Sequence, residues 1–194
     1  MSSYIFISPK SDPGMGRPLA DPLLTSGSRP TMGSCRPDLR RLVRPGDQIF
    51  VISGSMGPKH RQYVIGGLEI TEKLEDQLAA LRKFPENALR FDAGKKMGNI
   101  IVTPDGYQHP QDTHKPESFE NRIKNYLVGQ NPVVLETPRE VELGRERTID
   151  ILSSLFDRSG PRVAQIVGRH RKLTDEQADR LRRELMDIKR EAAA

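Results

Sequence analysis

The segment RPDLRRLVRPGDQIFVISGS, residues 36–55, contains the signals that decide the fold class. Proline at position 37 suits the first turn of a helix, where a missing N–H costs nothing, so we predict a short helix over residues 37–43. A Pro-Gly-Asp turn at 45–47 follows, since proline presets φ and glycine accepts a positive φ. The apolar run 48–52 then predicts a central strand, which the next Ser-Gly-Ser sequence ends.

Further strand and helix signals flank this segment on both sides. We predict strands at 4–7, 63–70, 89–91, 99–102 and 132–136, and helices at 71–83, 119–128, 142–156 and 175–193. The Gly66-Gly67 pair predicts a bulge. Residues 9–34 predict a long loop, with a disordered insert as the alternative. Because strands precede residue 136 and only helices follow it, we expect an α+β fold with a β-rich domain, 1–136, and a helical segment, 137–194, that packs on it or extends from it.

The composition of the 194-residue chain limits its class. Hydrophobic residues make up 35% of the sequence and Trp is absent, which allows one core of modest size. The formal net charge of +5 favours a polyanionic partner, because Lys and Arg that neutralise phosphates release counterions. The single cysteine, Cys35, excludes an intrachain disulfide. No apolar run reaches about 18 residues and no signal-peptide pattern is present, so we expect a cytoplasmic chain without membrane contact.

Motifs for nucleotide cofactors, metals and hydrolases are absent from the sequence. The chain has no Walker loop, no GxGxxG after a strand, no HExxH and no GxSxG, so we expect neither a cofactor nor a resident metal. His109 and His114 stand five residues apart in a polar stretch and lack a third metal ligand of suitable spacing. Hydrogen bonding to a ligand and loop packing are the interpretations that remain for them.

Ser34 and Cys35 stand immediately before the predicted helix, where free N–H groups and the helix dipole favour an anion. Arg36, Arg40 and Arg41 follow, and guanidinium groups suit bidentate contacts with phosphate. The segment is therefore a candidate phosphate site. A solvated basic helix face, with Ser34 as its cap, is the alternative interpretation.

Cys35 is also a candidate nucleophile, because a helix start and several arginines would lower the pKa of its thiol. A base such as His109 or His114 would have to approach it in space. A small packing residue is the alternative, and we expect no catalytic residue in the chain.

Other basic residues predict contacts with a nucleic-acid backbone. Arg44 follows the first helix, and Arg169-His170-Arg171 forms a compact run just before the last one. Such runs attract phosphates electrostatically, although a solvated surface is the alternative interpretation.

Residues 30–49 resemble the second type of nucleotide-modification-associated domain. The matching elements are Ser34 to Pro37, the Arg40-Arg41 pair, Gly46-Asp47 and Gly54-Ser55. A second block is similar to the family's later Gly-Asp-Asn-Ile segment, without its Asp, and consists of Gly98-Asn99-Ile100 with Asp105-Gly106 and the histidines after it. The resemblance covers residues 4–136, with a weaker similarity at residues 169–171.

The order of elements is also similar to that of the PUA-like barrels, the group that includes the EVE, YTH and ASCH domains. The resemblance implies a small mixed β-barrel with flanking helices and a helical C-terminal segment. It also implies a pocket for a modified nucleotide or a modified base in nucleic acid, in a protein linked to bacterial or phage DNA modification. The ligand-binding residues are then expected to be Ser34, Cys35, Arg36, Arg40, Arg41, Ser53, Gly54, Ser55, Gly98, Asn99, His109 and His114.

Three functions follow from these patterns. The leading hypothesis is non-catalytic binding of a modified nucleotide, free or within DNA or RNA. The second is an enzyme of modified-nucleotide metabolism, such as a hydrolase or a transferase. The third is a protein-interaction module in which the C-terminal helices dock a partner.

Overall fold

The computed structural model describes residues 2–194, which contain eight strands and six α-helices. The strands are β1 Ser3–Ile7, β2 Thr31–Met32, β3 Gln48–Ile52, β4 Val64–Asp76, β5 Arg90–Asp92, β6 Lys95–Met97, β7 Lys124–Val134 and β8 His170–Leu173. The helices are α1 Pro37–Leu42, α2 Gln77–Lys83, α3 Phe119–Arg122, α4 Pro138–Phe156, α5 Val163–Val167 and α6 Asp175–Ala193. Six strands form a mixed sheet in the order β2-β7-β4-β3-β1-β8, and β5 and β6 form a separate hairpin. The expected α+β class is confirmed, but the sheet ends in two edge strands and does not close into a barrel.

The centre of the sheet contains β3, the strand that the opening segment predicts. Strand β1 runs parallel to β3 and pairs Ile5 with Phe50, whereas β4 runs antiparallel to β3. The predicted bulge is present, because the register between β4 and β7 shifts between Gly67 and Glu69. Glycine is required at Gly67, since a Cβ there would lie 2.4 Å from the ring of Phe50. The absence of a side chain at Gly67 therefore lets the Phe50 ring pack directly against the β4 backbone.

The C-terminal helices pack on the sheet and share its larger hydrophobic cluster. The apolar stripe of α6, Leu181, Leu185 and Ile188, is buried in that cluster together with Leu152 of α4. Strand β8 precedes α6 and pairs antiparallel with β1, so the expectation of helices alone after residue 136 is wrong. None of the helices in residues 2–194 is long and apolar enough to span a membrane.

Two predicted helices are wrong over part of their length, because long strands take their place. The chain over 71–83 continues β4 as far as Asp76, whose carboxylate caps α2 by accepting a 2.9 Å hydrogen bond from the Ala79 N–H. In the predicted helix 119–128, only the first four residues are helical, and β7 follows. Strands β4 and β7 pair along most of their length, and these cross-strand hydrogen bonds outweigh the local helical periodicity.

The remaining local predictions are mixed in outcome. The predicted strand at 99–102 is wrong, since residues 100 and 102 form only isolated bridges. The strand predicted at 132–136 is the end of β7, and the one predicted at 89–91 is β5, shifted by one residue. Residues 9–34 form the predicted loop, which contains a single 3₁₀ turn, Pro13–Met15, and ends in β2.

We expect residues 1–136 not to fold when the rest of the chain is removed. Truncation deletes β8 and exposes the sheet residues that α4 and α6 cover, which removes 13 of the 32 buried residues of the larger hydrophobic cluster. Thermal melting followed by circular dichroism should show no cooperative transition for this fragment. Deleting only residues 191–194, beyond the last buried residue of α6, should leave the melting temperature within a few degrees. A cooperative transition with near-ultraviolet signal in the fragment would contradict this expectation.

Candidate functional site

A buried carboxylate occupies the place at which the sequence predicts an external anion. Asp21 is 1% exposed and accepts hydrogen bonds from the backbone N–H groups of Gly33, Ser34 and Cys35 at 2.9, 3.0 and 2.6 Å. The side-chain amide of Asn99 donates a fourth bond to it at 2.8 Å. The free N–H groups before α1 therefore hold an anion of the chain itself, and an external phosphate is not needed to satisfy them.

Asn99 and Gly98 belong to the interior behind this carboxylate. Asn99 is fully buried, and its side-chain oxygen Oδ1 accepts a 2.8 Å bond from the Tyr126 hydroxyl. Gly98 has a φ of +83°, and a Cβ there would lie 2.4 Å from the Ala88 carbonyl oxygen. Gly98 and Asn99, both expected to bind the ligand, therefore fix the position of the loop that follows β6.

Arg40 is fully buried and is hydrogen-bonded to backbone carbonyls. Its Nε donates to the carbonyl of Cys35 at 2.8 Å, and Nη2 donates to that of Arg122 at 2.6 Å. Its Nη1 donates to the carbonyls of Asn125, at 2.9 Å, and of Lys124. Burial lowers the pKa of Arg40 to about 10, so the guanidinium remains charged at neutral pH. The side chain therefore connects α1 to the end of α3 and the start of β7, and its hydrogen bonds are made to the protein backbone.

An open cavity of about 460 Å³ lies beside the start of α1. It is lined by Phe6, Ile7, Ser8, Pro9, Cys35, Arg36, Pro37, Asp38, Arg41, Asn121, Arg122 and Arg169. Four of these residues are arginines, and Asp38 is the single carboxylate among them. Ligand pockets commonly measure about 300–1,000 Å³, so the cavity is large enough for a nucleotide. We call it the arginine cavity.

Arg36 is held in place by three groups around the arginine cavity. Its Nε and Nη2 donate to both oxygens of Asp38 at 2.9 and 2.6 Å, and Nη2 lies 2.8 Å from Nδ1 of His170. The guanidinium carbon is 5.8 Å from the centre of the Phe6 ring. Hydrogen bonding from Arg36 lowers the pKa of Asp38 to about 2, which keeps the carboxylate ionised. The Arg36 guanidinium is therefore held in one position by Asp38 and His170.

Arg122 is a cavity residue that the sequence patterns did not single out. Its Nη1 donates to the carbonyl of Ser34 at 2.8 Å, which orients the guanidinium beside the start of α1. Arg41 and Arg169 complete the arginine set, and both residues are exposed. Within residues 2–194, neither of these two side chains forms an ion pair. Both are therefore available to an anionic ligand.

The Cys35 thiol has a raised pKa, opposite to the direction that a nucleophile requires. Burial, followed by the carboxylate of Asp21, raises it to about 12. The neighbouring arginines, Arg122 and Arg40, act in the lowering direction, but their effect is smaller. The direction of this pKa shift is opposite to the one that activation by the helix start and the arginines requires, and it favours the packing interpretation.

Ser53, Gly54 and Ser55 do not line the arginine cavity, although Gly54 packs against the backbone of Ser8 and Pro9, which do. The buried Ser53 hydroxyl accepts a 3.0 Å bond from the Tyr63 N–H, and a Cβ at Gly54 would lie 2.1 Å from the Pro9 carbonyl oxygen. Ser55 lines a second cavity of about 680 Å³, whose charged residues are of both signs: His60, Arg61 and Arg162, with Glu146 and Asp150. Within the Ser-Gly-Ser element, Ser55 therefore lines the second cavity, whereas Ser53 is buried.

The two loop histidines make local hydrogen bonds. Nδ1 of His114 lies 2.6 Å from Oδ1 of Asp112, and burial lowers the pKa of His114. Nδ1 of His109 accepts a 3.1 Å bond from the Gln111 N–H. No group of three or more metal-ligating side chains occurs in the part of the chain that the structure describes.

The predicted backbone contacts separate into two groups. Arg169 lines the arginine cavity, and His170 contacts the guanidinium of Arg36, another residue of the lining. Arg171 is directed elsewhere, with its guanidinium carbon 5.2 Å from the centre of the Phe156 ring, because successive side chains of a strand alternate between faces. Arg44 is exposed in the turn before β3 and does not line the cavity.

Asp21 is the residue whose role was least apparent in the sequence. A usable signal exists, because Asp12 and Asp21 are the only acids among the first 37 residues and each precedes a proline. Both carboxylates are buried, and Asp12 forms a two-pronged ion pair with Arg145 at 2.7 and 3.0 Å. Isolated acids in a basic, loop-rich segment therefore indicate internal anchors here.

No protein-family model matches the chain, and no curated protein matches it either. The case for a function therefore depends on the cavity residues themselves. Of the twelve expected ligand residues, the structure brings Cys35, Arg36 and Arg41 to the arginine cavity, together with Arg169 of the expected backbone set.

We expect the alkylation of Cys35, the single cysteine, to report its raised pKa. In the folded protein the rate with iodoacetamide should rise about tenfold for each pH unit from 8 to 10, because the thiol stays mostly protonated throughout. In the chain unfolded by urea, the rate should level off above a pH of about 9. A plateau below pH 9 in the folded protein would contradict the assignment of Cys35 as a packing residue.

Proposed function

We propose that the chain is a non-catalytic binder of a nucleotide, free or within nucleic acid, and that the arginine cavity holds its phosphate. The observation that carries the proposal is the set of four arginines facing a single carboxylate in a cavity of nucleotide size. Arg36 is neutralised by Asp38, so the phosphate would be bound by Arg41, Arg122 and Arg169.

The surroundings of the arginines favour binding over catalysis. Arg122, one of the three arginines that would bind the phosphate, is already fixed by its hydrogen bond to the Ser34 carbonyl, so it would lose little side-chain freedom when an anion binds. The raised pKa of Cys35 leaves the cavity without a thiolate nucleophile at neutral pH. No specific observation favours the alternative of a hydrolase or transferase.

The base of the nucleotide would contact the uncharged part of the lining. Phe6, Ile7 and Pro9 provide apolar contacts there, and the Asn121 amide offers both a donor and an acceptor. The resemblance to nucleotide-modification-associated domains makes a modified base the expected ligand. In the same proposal, the mixed sheet is an opened relative of the PUA-like barrel, since α1, the Gly46-Asp47 turn, β3 and β4 follow in that group's order.

A docking role for the C-terminal helices has less support. The apolar stripe of α6 is buried against the sheet, so it is not available to a protein partner. The side chains that those helices expose to solvent are mainly charged.

The proposal predicts binding that depends on salt and on two arginines. We expect the double variant Arg41→Ala, Arg169→Ala to bind a fluorescein-labelled single strand of about ten nucleotides at least about tenfold more weakly at low salt. The slope of log K against log salt concentration should become shallower by about 0.7, because the single phosphate held in the cavity is no longer neutralised. Fluorescence anisotropy with unmodified and 5-hydroxymethylcytosine-containing strands measures both quantities.

A charge-matched control is the double variant Arg158→Ala, Arg183→Ala, since both residues are exposed and line neither cavity. It should keep the affinity and the slope within about twofold of the unaltered protein. Equal losses in the two double variants, or no binding by the unaltered protein at about 50 mM salt, would refute the proposed function.

A further inference from the structure

The β5–β6 hairpin presents an exposed aromatic ring beside a lysine. Phe91 is 44% exposed, although most large apolar residues of this chain are buried. Its Cα pairs directly with that of Lys96 in the antiparallel ladder, so the two side chains project from the same face. An aromatic face next to a cation is the combination that binds a base and its phosphate in single-strand-binding proteins.

The hairpin and the arginine cavity are joined through one carboxylate. Strand β6 ends at Met97, and two residues later Asn99 donates to Oδ1 of Asp21, whose Oδ2 accepts from the N–H of Cys35 in the cavity lining. Lys96 and Asn99 are three Cα–Cα steps apart, so at most about 10 Å separates them, and Gly98 bends the chain between them with a φ of +83°. Asp21 therefore contacts both the segment that follows the hairpin and the backbone of the cavity lining.

Positive charge continues from the cavity towards the hairpin. Lys96 and Arg122 both act to lower the pKa of the Cys35 thiol, and both also lower that of His114. The electrostatic influence of Lys96, from the hairpin, and of Arg122, from the cavity, therefore extends to the same two groups. Arg41 and Arg169 extend the basic surface beyond Arg122.

We propose that the ligand is a single-stranded nucleic acid several nucleotides long, with one phosphate in the arginine cavity and a neighbouring base stacked on Phe91. The inference rests on the proposed function and adds the class of its ligand. A duplex cannot offer a base face to Phe91 while its bases remain paired, and a free mononucleotide has no neighbouring base to stack there. Lys96 then contacts the phosphate next to the stacked base.

Two substitutions at one position separate stacking from apolar packing. Phe91→Leu keeps a large apolar side chain without the aromatic face, and should weaken binding of the labelled single strand by about tenfold. Phe91→Tyr keeps the ring and should bind within about twofold of the unaltered protein. Both variants should bind the free mononucleotide as the unaltered protein does. The single strand is supplied as DNA and as RNA, and a duplex of the same sequence should bind more weakly than either.

The outcomes distinguish this inference from the function on which it rests. If Phe91→Leu leaves single-strand affinity unchanged while the Arg41, Arg169 double variant lowers it, the stacking inference is overturned and the phosphate site stands. Equal loss of mononucleotide affinity in Phe91→Leu, or a duplex that binds as tightly as the single strand, also overturns it. If the unaltered protein binds none of the probes, both proposals fail. Melting temperatures of the two variants should match that of the unaltered protein, because the ring is exposed.

Discussion

Four hydrogen bonds converge on the side-chain carboxylate of Asp21, and the geometry of the candidate site depends on them. Three come from consecutive backbone N–H groups at residues 33–35, and the fourth comes from Asn99. A buried carboxylate without such donors would cost several kcal/mol, so the loop that carries Asp21 and the segment that carries the donors each require the other. The positive charge of Arg40 acts on the same region, since Asp21 raises the pKa of Arg40 against the effect of burial.

This internal pairing determines which surfaces remain for a ligand. Because Asp21 satisfies the N–H groups before α1, an external anion has to bind through side chains on the opposite side of the segment. Arg40 is likewise engaged by backbone carbonyls, whereas its neighbour Arg41 is exposed at the cavity. Two adjacent arginines of one helix thus differ in position, since Arg40 is buried and bonded within the fold and Arg41 is exposed at the arginine cavity.

Local chemistry was sufficient to predict α1, the turn after it, β3 and the capped helix α6, because each depends on neighbouring residues. The long strands β4 and β7 were missed in part, since their pairing partners are distant in sequence. The meeting of Arg36 with Arg169 and His170 depends on β8 pairing with β1, a contact across more than 130 residues that no local pattern contains. Sequence position alone made Arg36, Arg40 and Arg41 candidate phosphate ligands, but their contacts in the fold set their roles.

The free energy of unfolding of Asp21→Asn, measured by urea denaturation, tests this account most directly. The Asn side chain would turn an N–H₂ group towards backbone donors and leave Arg40 without its nearby anion, so we expect a loss of about 3 kcal/mol. Asp105→Asn, in an exposed turn, provides the control and should change stability by less than about 0.5 kcal/mol. An Asp21→Asn protein as stable as this control would contradict the central role of the buried carboxylate.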